Sequence, residues 1–223
     1  MEFQGPDATD YDNVRILNLA FLALLRRDSA ARRCLGGLSE ALARRLISLS
    51  ESQTGRLATT PFLLMSFRER DHRFWETLFL ADPNRDLFVT PEARHDELGR
   101  LISAGLGFVW QLARQNPYAA RLTCAASMHW CEQLTERTFF RLLAVAGART
   151  EVLVLRAASD TELWSKLLQS GISREAHVRR AAQISALQSI LTHASMPSGK
   201  KLAAAACRVQ SPSLRVADET KSR

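Results

Sequence analysis

The sequence predicts an all-α, multi-helical protein with about nine helices and at most one short extended segment, near residues 62–67. Along most of the chain, apolar residues recur at intervals of three and four, which is the spacing of one buried helical face. Small polar residues precede many of these stretches, as helix N-caps do, and glycine or proline follows several of them. Almost no segment has the composition of a strand.

The first third of the chain divides into short helices that follow a longer one. A broad apolar stripe predicts a helix from Asp10 to Arg27, and we expect residues 1–9 to be disordered. Ser39 and Ser50 are suited to cap two later helices, because their side chains can accept a hydrogen bond from the backbone of the first turn. The predicted helices after the first are 29–34, 40–47, 51–58 and 71–81, with the extended segment 62–67 before the last of them. Together these elements form a predicted helical domain over residues 10–81.

The second half of the chain is predicted to form another helical domain, over residues 90–194. Turn-forming residues at 82–91 separate it from the first domain, and Asn116-Pro117 and Gly171 interrupt it. The predicted helices are 90–115, 118–125, 127–146, 161–169 and 174–193. Beyond residue 194 the apolar periodicity is lost, so residues 195–223 are predicted to be a flexible basic tail.

The charge of the chain favours an anionic partner. Thirty Lys and Arg residues stand against 23 Asp and Glu, which leaves a net charge of +7. Such an excess is typical of proteins that bind nucleic acid, although many basic globular proteins bind none. The acidic, polar N-terminus differs from a secretory signal or a transit peptide. The longest apolar stretch, 14–25, contains Arg15 and Asn18 and is too short to cross a membrane, so a cytoplasmic protein is expected.

The sequence contains none of the catalytic or metal-binding motifs that are typical of common enzyme families. The five histidines are scattered, and none falls in a spacing that zinc enzymes use. The four cysteines have no CxxC spacing, which favours reduced and mostly buried thiols. The chain contains no GxSxG, Walker A or GxGxxG motif. We therefore expect a protein without enzymatic activity, cofactor or metal, which acts by binding other macromolecules.

One candidate DNA-binding surface lies in the arginine-rich stretch 26–56. Only three acidic residues accompany seven arginines there. Four of these arginines lie on neighbouring short helices and are predicted to contact DNA: Arg32, Arg33, Arg44 and Arg45. The two helices between Ser39 and Ala58 have the size of a helix-turn-helix unit, but their turn lacks a glycine. A solvated face without a ligand is the alternative interpretation.

The second candidate DNA-binding surface lies between Asp160 and Ile190. Gly171 occupies the predicted turn, and the helix that follows is rich in the side chains that recognise guanine and adenine edges. Its candidate DNA-binding residues are Arg174, Arg179, Arg180 and Gln183. An exposed helix of an ordinary helical domain would have the same composition, so this alternative also stays open.

The apolar stripe of the first helix is wider than a helix on a protein surface needs. Leu17, Phe21 and Leu24 define its centre, and apolar neighbours widen it on both sides. This breadth predicts a helix buried on two sides, as at a dimer interface. Leu17, Phe21 and Leu24 are therefore the candidate interface residues of a homo-oligomer.

The segment NLAFLALLRRDSAARRCLGGLSEALARRLISLSESQTGRLATTPFLLMSFRE resembles the FlhD family of flagellar transcriptional activators and the FlhD-like regulators of integrative elements. The shared pattern consists of a leucine-rich first helix, a glycine-containing turn, spaced leucines and an apolar segment that closes in Phe67-Arg68. It covers about residues 13–80. The resemblance implies a helical homodimer that activates transcription, often with a second subunit of the FlhC type.

The chain also departs from the family. The family's interchain cysteine falls in the apolar segment, where this chain has Met65, so covalent dimerisation is not expected there. The four-cysteine zinc site of FlhC has no counterpart in this chain, and residues after 90 match no part of the short family members. The leading hypothesis is a DNA-binding transcriptional activator, and the alternative is a helical adaptor that binds only protein.

Overall fold

The computed structural model describes residues 5–80, 97–146 and 149–195, which contain ten α-helices. The helices are α1 Ala8–Arg27, α2 Glu40–Ile47, α3 Glu51–Ala58, α4 His72–Leu80, α5 Glu97–Gln115, α6 Pro117–Cys124, α7 Met128–Thr135, α8 Phe139–Ala146, α9 Thr161–Gln169 and α10 Ala176–Ser195. Short 3-10 helices occupy Ala31–Leu35 and Thr150–Val152. The all-α prediction is thus confirmed. The predicted boundary at 82–91 and the part of the predicted tail beyond residue 195 lie outside the described residues.

Most helices begin where a side chain can cap them. Ser50, Asn116, Ser127 and Asp160 each accept a hydrogen bond from a backbone N–H of the first turn of the helix that follows. Helix α1 begins at Ala8, two residues before the predicted start, because Asp7 and Asp10 form a reciprocal capping box. Residues 8 and 9 therefore belong to α1 rather than to a disordered end.

One helix predicted over 127–146 is divided into α7 and α8. The division falls at residues 136–138, where the Thr138 hydroxyl accepts a hydrogen bond from the Arg141 backbone N–H and starts a new helix. The indole Nε1 of Trp110 on α5 donates to the Arg137 carbonyl at 2.9 Å, which satisfies a backbone group that the break leaves open.

The extended segment near 62–67 is confirmed, and it pairs with a partner that the sequence did not indicate. Strand β1, Met65–Ser66, is antiparallel to strand β2, Val154–Leu155. Buried Asn18 of α1 donates to the Phe62 carbonyl at 2.9 Å and accepts from the Leu64 N–H at 2.8 Å. These bonds fix the segment in the interior, where its backbone would otherwise lack partners.

Helix α5 lies at the centre of the fold and packs against α1, α6, α7 and α8. Buried side chains from both halves of the chain form one continuous core, from Val14 of α1 to Ile190 of α10. Trp75 and Trp130, one from each half, are fully buried with their ring centroids 5.5 Å apart. Each such ring removes roughly 150–250 Å² of surface from water, so contacts of this kind join the two halves firmly.

Candidate nucleic-acid interface

Helices α2 and α3 form a compact helix-turn-helix unit. Three residues, 48–50, separate them, and Leu49 in this turn is buried together with Leu46 and Leu57. Ser50 and Gln53 form a capping box, so α3 starts sharply after the turn. None of residues 48–50 has a positive φ, so this turn does not require the glycine that a turn of this kind often contains.

Helices α9 and α10 form a second helix pair, and at the turn between them the backbone of Gly171 lies close to Leu167. A Cβ atom at Gly171 would lie 2.6 Å from the Leu167 carbonyl oxygen, so a larger residue does not fit there without a shift. Asp160 caps α9 through the Leu163 N–H at 2.9 Å. The turn then leads into α10, whose exposed residues include His177, Arg180 and Gln188.

The two helix pairs pack against each other. Helix α2 lies against α9, and the guanidinium of Arg45 donates to the Leu168 carbonyl at 3.0 Å. Arg56 of α3 donates to the Ile172 carbonyl in the second turn at 2.7 Å. These bonds satisfy carbonyl groups at and after the end of α9, and they place α2, α3 and the α9–α10 turn next to one another.

Of the four arginines predicted at the first surface, two are engaged within the chain. Arg32 donates to the Leu25 and Arg26 carbonyls and so caps the end of α1, while Arg45 is bound to α9. Exposed Arg44 has a weak ion pair with Glu40 at 3.7 Å on the same helix. The exposed guanidinium of Arg33 has no hydrogen bond or ion pair within the described residues. Arg33 and Arg44 therefore remain available to a ligand.

The four residues predicted at the second surface also divide into two groups. Arg174 and Arg180 are exposed, and their guanidinium groups have no partner in the part of the chain that the structure describes. Arg179 donates to the Ser173 carbonyl at 2.8 Å and so holds the turn. Arg179 is therefore engaged in the fold, like Arg32 and Arg45.

Gln183 does not have the position that base recognition requires. Only 6% of it is exposed, and its amide nitrogen donates to the Arg56 carbonyl, the Thr59 hydroxyl and the Gly171 carbonyl at 3.1–3.3 Å. The expectation that Gln183 reads bases is corrected here, because a buried amide with three internal partners cannot reach a groove of DNA. The Gln183 side chain points from α10 toward α3.

Comparison with known families supports the resemblance noted in the sequence. The family model of the flagellar transcriptional activator FlhD matches residues 3–96. The match covers less than half of the 223 residues and ends just before α5. No curated protein and no solved structure matches the chain. The FlhD resemblance is thus confirmed for this segment, and α5–α10 lie outside it.

The three candidate interface residues belong to the FlhD-matched segment, and they are buried in the core of the single chain. Leu17, Phe21 and Leu24 are all buried within the single chain, where α1 packs against α3 and α5. The wide apolar stripe of α1 is therefore covered on two sides by the protein's own helices. The expectation that a second copy covers these three residues is corrected accordingly.

Met65, where the resemblance to the FlhD family implies an interchain cysteine, is fully buried in β1. A Cβ atom at Gly105 of α5 would lie 3.2 Å from the Cε atom of Met65, so Met65 packs closely on this helix. The position is thus part of the core that joins the FlhD-matched segment to the rest of the chain. It offers no surface for a covalent contact between two copies.

One ion pair among the described residues is buried and has no local signal in the sequence. Arg156 and Glu69 are both buried and form an ion pair at 2.8 Å. Arg156 also donates to the carbonyls of Leu63, Cys124 and Met65. A buried pair of this kind needs such additional hydrogen bonds to offset the loss of hydration. Nothing in the local sequence marks Arg156, because its partners lie 32–93 residues away.

The three cysteines of the described residues lack the properties of reactive groups. Burial raises the pKa of Cys124 to about 12, and it raises the pKa of Cys34 and of Cys131 to about 11. Thiols of this kind stay protonated near neutral pH and are weak nucleophiles. Within the described ranges, no three His, Cys, Asp or Glu side chains lie together as metal ligands would. None of the helices in those ranges is long and apolar enough to cross a membrane.

Proposed function

We propose that the protein is a transcriptional regulator of the FlhD type that binds DNA and has no enzymatic activity. The observation that carries this proposal is the match of residues 3–96 to a family of transcriptional activators. The net charge of +7 supports DNA as the partner, because neutralising phosphate groups releases counterions.

The proposed DNA contacts are made by four exposed arginines, which we call the available arginines: Arg33, Arg44, Arg174 and Arg180. Unlike Arg32, Arg45 and Arg179, they are not engaged with backbone carbonyls of other segments. Arg44 lies on α2 and Arg174 in the turn that Arg56 of the neighbouring α3 contacts, so they belong to adjacent elements. Guanidinium groups suit this role because they bind phosphate oxygens with two parallel hydrogen bonds.

The test is binding of the full chain to a random DNA duplex across a salt series. The double variant R174A/R180A should bind DNA more weakly and should lower the slope of log affinity against log salt by about 1.8, since each phosphate contact contributes about 0.9. A matched control, R100A/R121A, removes the same charge from exposed positions on α5 and α6. Equal effects of the two double variants would refute a contact at Arg174 and Arg180.

We further propose that the regulator acts as a homo-oligomer, alone or with a partner protein of the FlhC type. Since Leu17 is internal, a second copy would need the outer face of α1, where Ile16 is 55% exposed and Tyr11 is also exposed. Light scattering of the purified chain measures its mass directly. If the chain is a monomer at all concentrations, the homo-oligomer is refuted and only a complex with a partner protein remains.

A helical adaptor that binds only protein is the second candidate. The observation in its favour is Ile184, which is 45% exposed on the same stretch of α10 as Arg180 and Gln188, and Phe140 of α8 is 66% exposed. Exposed apolar side chains of this size are typical of protein contacts. DNA affinity that falls steeply with salt would favour the regulator, whereas no binding at low salt would leave either the adaptor or a regulator that needs its partner protein.

A further inference from the structure

An open cleft lies where the FlhD-matched segment meets the C-terminal part of the chain. Its volume is about 1100 Å³, and its walls come from residues 66–71, from 154–163 and from helices α9 and α10. The cleft is large enough for a small metabolite. The buried pair Arg156–Glu69 lines it, so its floor is rigidly held.

The acidic residues of the cleft are largely engaged within the protein. Glu69 is paired with Arg156 and accepts a hydrogen bond from the Ser66 hydroxyl. Asp71 is paired with Arg68 at 3.3 Å and accepts from the Phe74 N–H. Asp160 caps α9. Three of the four lining carboxylates thus have partners that reduce their repulsion of an incoming anion.

Two cations of the cleft have no carboxylate partner in the described residues. Arg70 uses one guanidinium nitrogen to donate to the Ile190 carbonyl at 2.9 Å. Lys166 donates to the Ser185 hydroxyl at 2.9 Å. Glu162, one turn before Lys166 on α9, forms no ion pair within 4.0 Å in the described part of the chain. After the two ion pairs are counted, Arg70 and Lys166 remain among the described lining residues, and they stand against two carboxylates: Asp160, which is directed to the first turn of α9, and Glu162.

The electrostatics at Arg70 are consistent with a missing counter-charge. Partial burial lowers the pKa of Arg70, the nearby positive charge of Arg156 lowers it further, and Glu69 opposes this change. An anion next to Arg70 would relieve this repulsion between like charges. The partial positive charge at the N-terminus of α9, which lines the cleft at Thr161, is met by the Asp160 carboxylate that caps the helix, so Asp160 repels an incoming anion less strongly.

We propose that this cleft binds a small anion that carries phosphate or carboxylate groups, with Arg70 and Lys166 as its ligands. Arg70 belongs to the FlhD-matched segment and Lys166 to α9, so the anion bridges the two parts of the chain. This site is separate from the available arginines, and it does not depend on the proposed DNA binding.

The test is isothermal titration of the full chain with inorganic phosphate and, separately, with citrate, at constant ionic strength set with chloride. At least one of the two anions should bind, and the anion that binds identifies phosphate or carboxylate as the preferred group. K166Q should weaken that binding at least fivefold. Its hydrogen bond to Ser185 is exposed, so folding should be retained. R70Q should weaken binding similarly.

Three controls make the outcome decisive. R100Q removes a cation from exposed α5 and should leave anion affinity unchanged. The variant R174A/R180A should also keep it, so failure of the DNA proposal would not affect this result. The absence of binding for both anions, or equal affinity of the wild-type protein and K166Q, would overturn the proposal.

Discussion

Buried polar side chains hold together segments that are far apart in this chain. Asn18, Arg156 and Gln183 all lie in the interior. Each donates hydrogen bonds to backbone carbonyls that are between 12 and 127 residues away along the sequence. Residue type alone cannot reveal this role, since Gln and Arg suit a base edge as well as a buried carbonyl. The sequence therefore indicates two candidate regions for DNA contact, but it does not indicate which of their side chains are available.

The role of Gln183 can be tested by comparison with Gln188 on the same helix. Q183A removes the three internal hydrogen bonds of this amide, including the buried one to the Gly171 carbonyl, so it should lower the free energy of unfolding by about 1–3 kcal/mol. Q188A, at an exposed position, should change it by less than about 0.5 kcal/mol. Urea denaturation monitored by circular dichroism measures both. Equal stability of the two variants would contradict the structural role of Gln183.

At the scale of elements, most local signals predicted the helices correctly, although the Ser39 side chain makes no cap hydrogen bond at the start of α2. The caps at Ser50, Ser127 and Asp160 act within three residues, so the sequence predicted the helices that they begin. The break between α7 and α8 also has a local cap, at Thr138, whereas the pairing of β1 with β2 depends on contacts between distant segments. Such contacts have no signature in one sequence without an alignment.

Two helical glycines provide a test of element packing. A Cβ atom at Gly105 of α5 would lie 2.5 Å from Cζ of the buried Phe67 ring, whereas a Cβ at Gly55 of α3 would meet nothing within 4 Å. G105A should therefore destabilise the protein by about 1–3 kcal/mol through overpacking, despite its better helix propensity. G55A should stabilise it by about 0.5–1 kcal/mol.

Thermal unfolding followed by circular dichroism shows whether each glycine variant is more or less stable than the wild-type protein. Since the two substitutions are chemically identical, they differ only in the space around the new methyl group. A stabilising effect of G105A would mean that Phe67 moves aside easily and that the contact between β1 and α5 is looser than the structure indicates.

At the scale of the whole molecule, the two predicted helical domains share one core. Phe67 of the FlhD-matched segment packs on α5, Trp75 on Trp130, and Arg156 binds three carbonyl or carboxylate groups of residues 63–69. A chain divided near residue 90 would expose these apolar surfaces and leave Glu69 without its partner. The segment after 96 thus contributes structurally to the FlhD-matched part.

A fragment of residues 1–96 should consequently fail to fold alone. We expect it to show helical circular dichroism without a cooperative thermal transition, because Phe67 and Trp75 lose the residues that bury them. Mixing it with a fragment of residues 97–223 should restore a transition, whereas mixing it with an unrelated helical protein should not. A cooperative transition of 1–96 alone would instead establish an independent domain over this segment, as its sequence pattern predicted. The bonds of Arg156 would then join two units that are each stable by themselves.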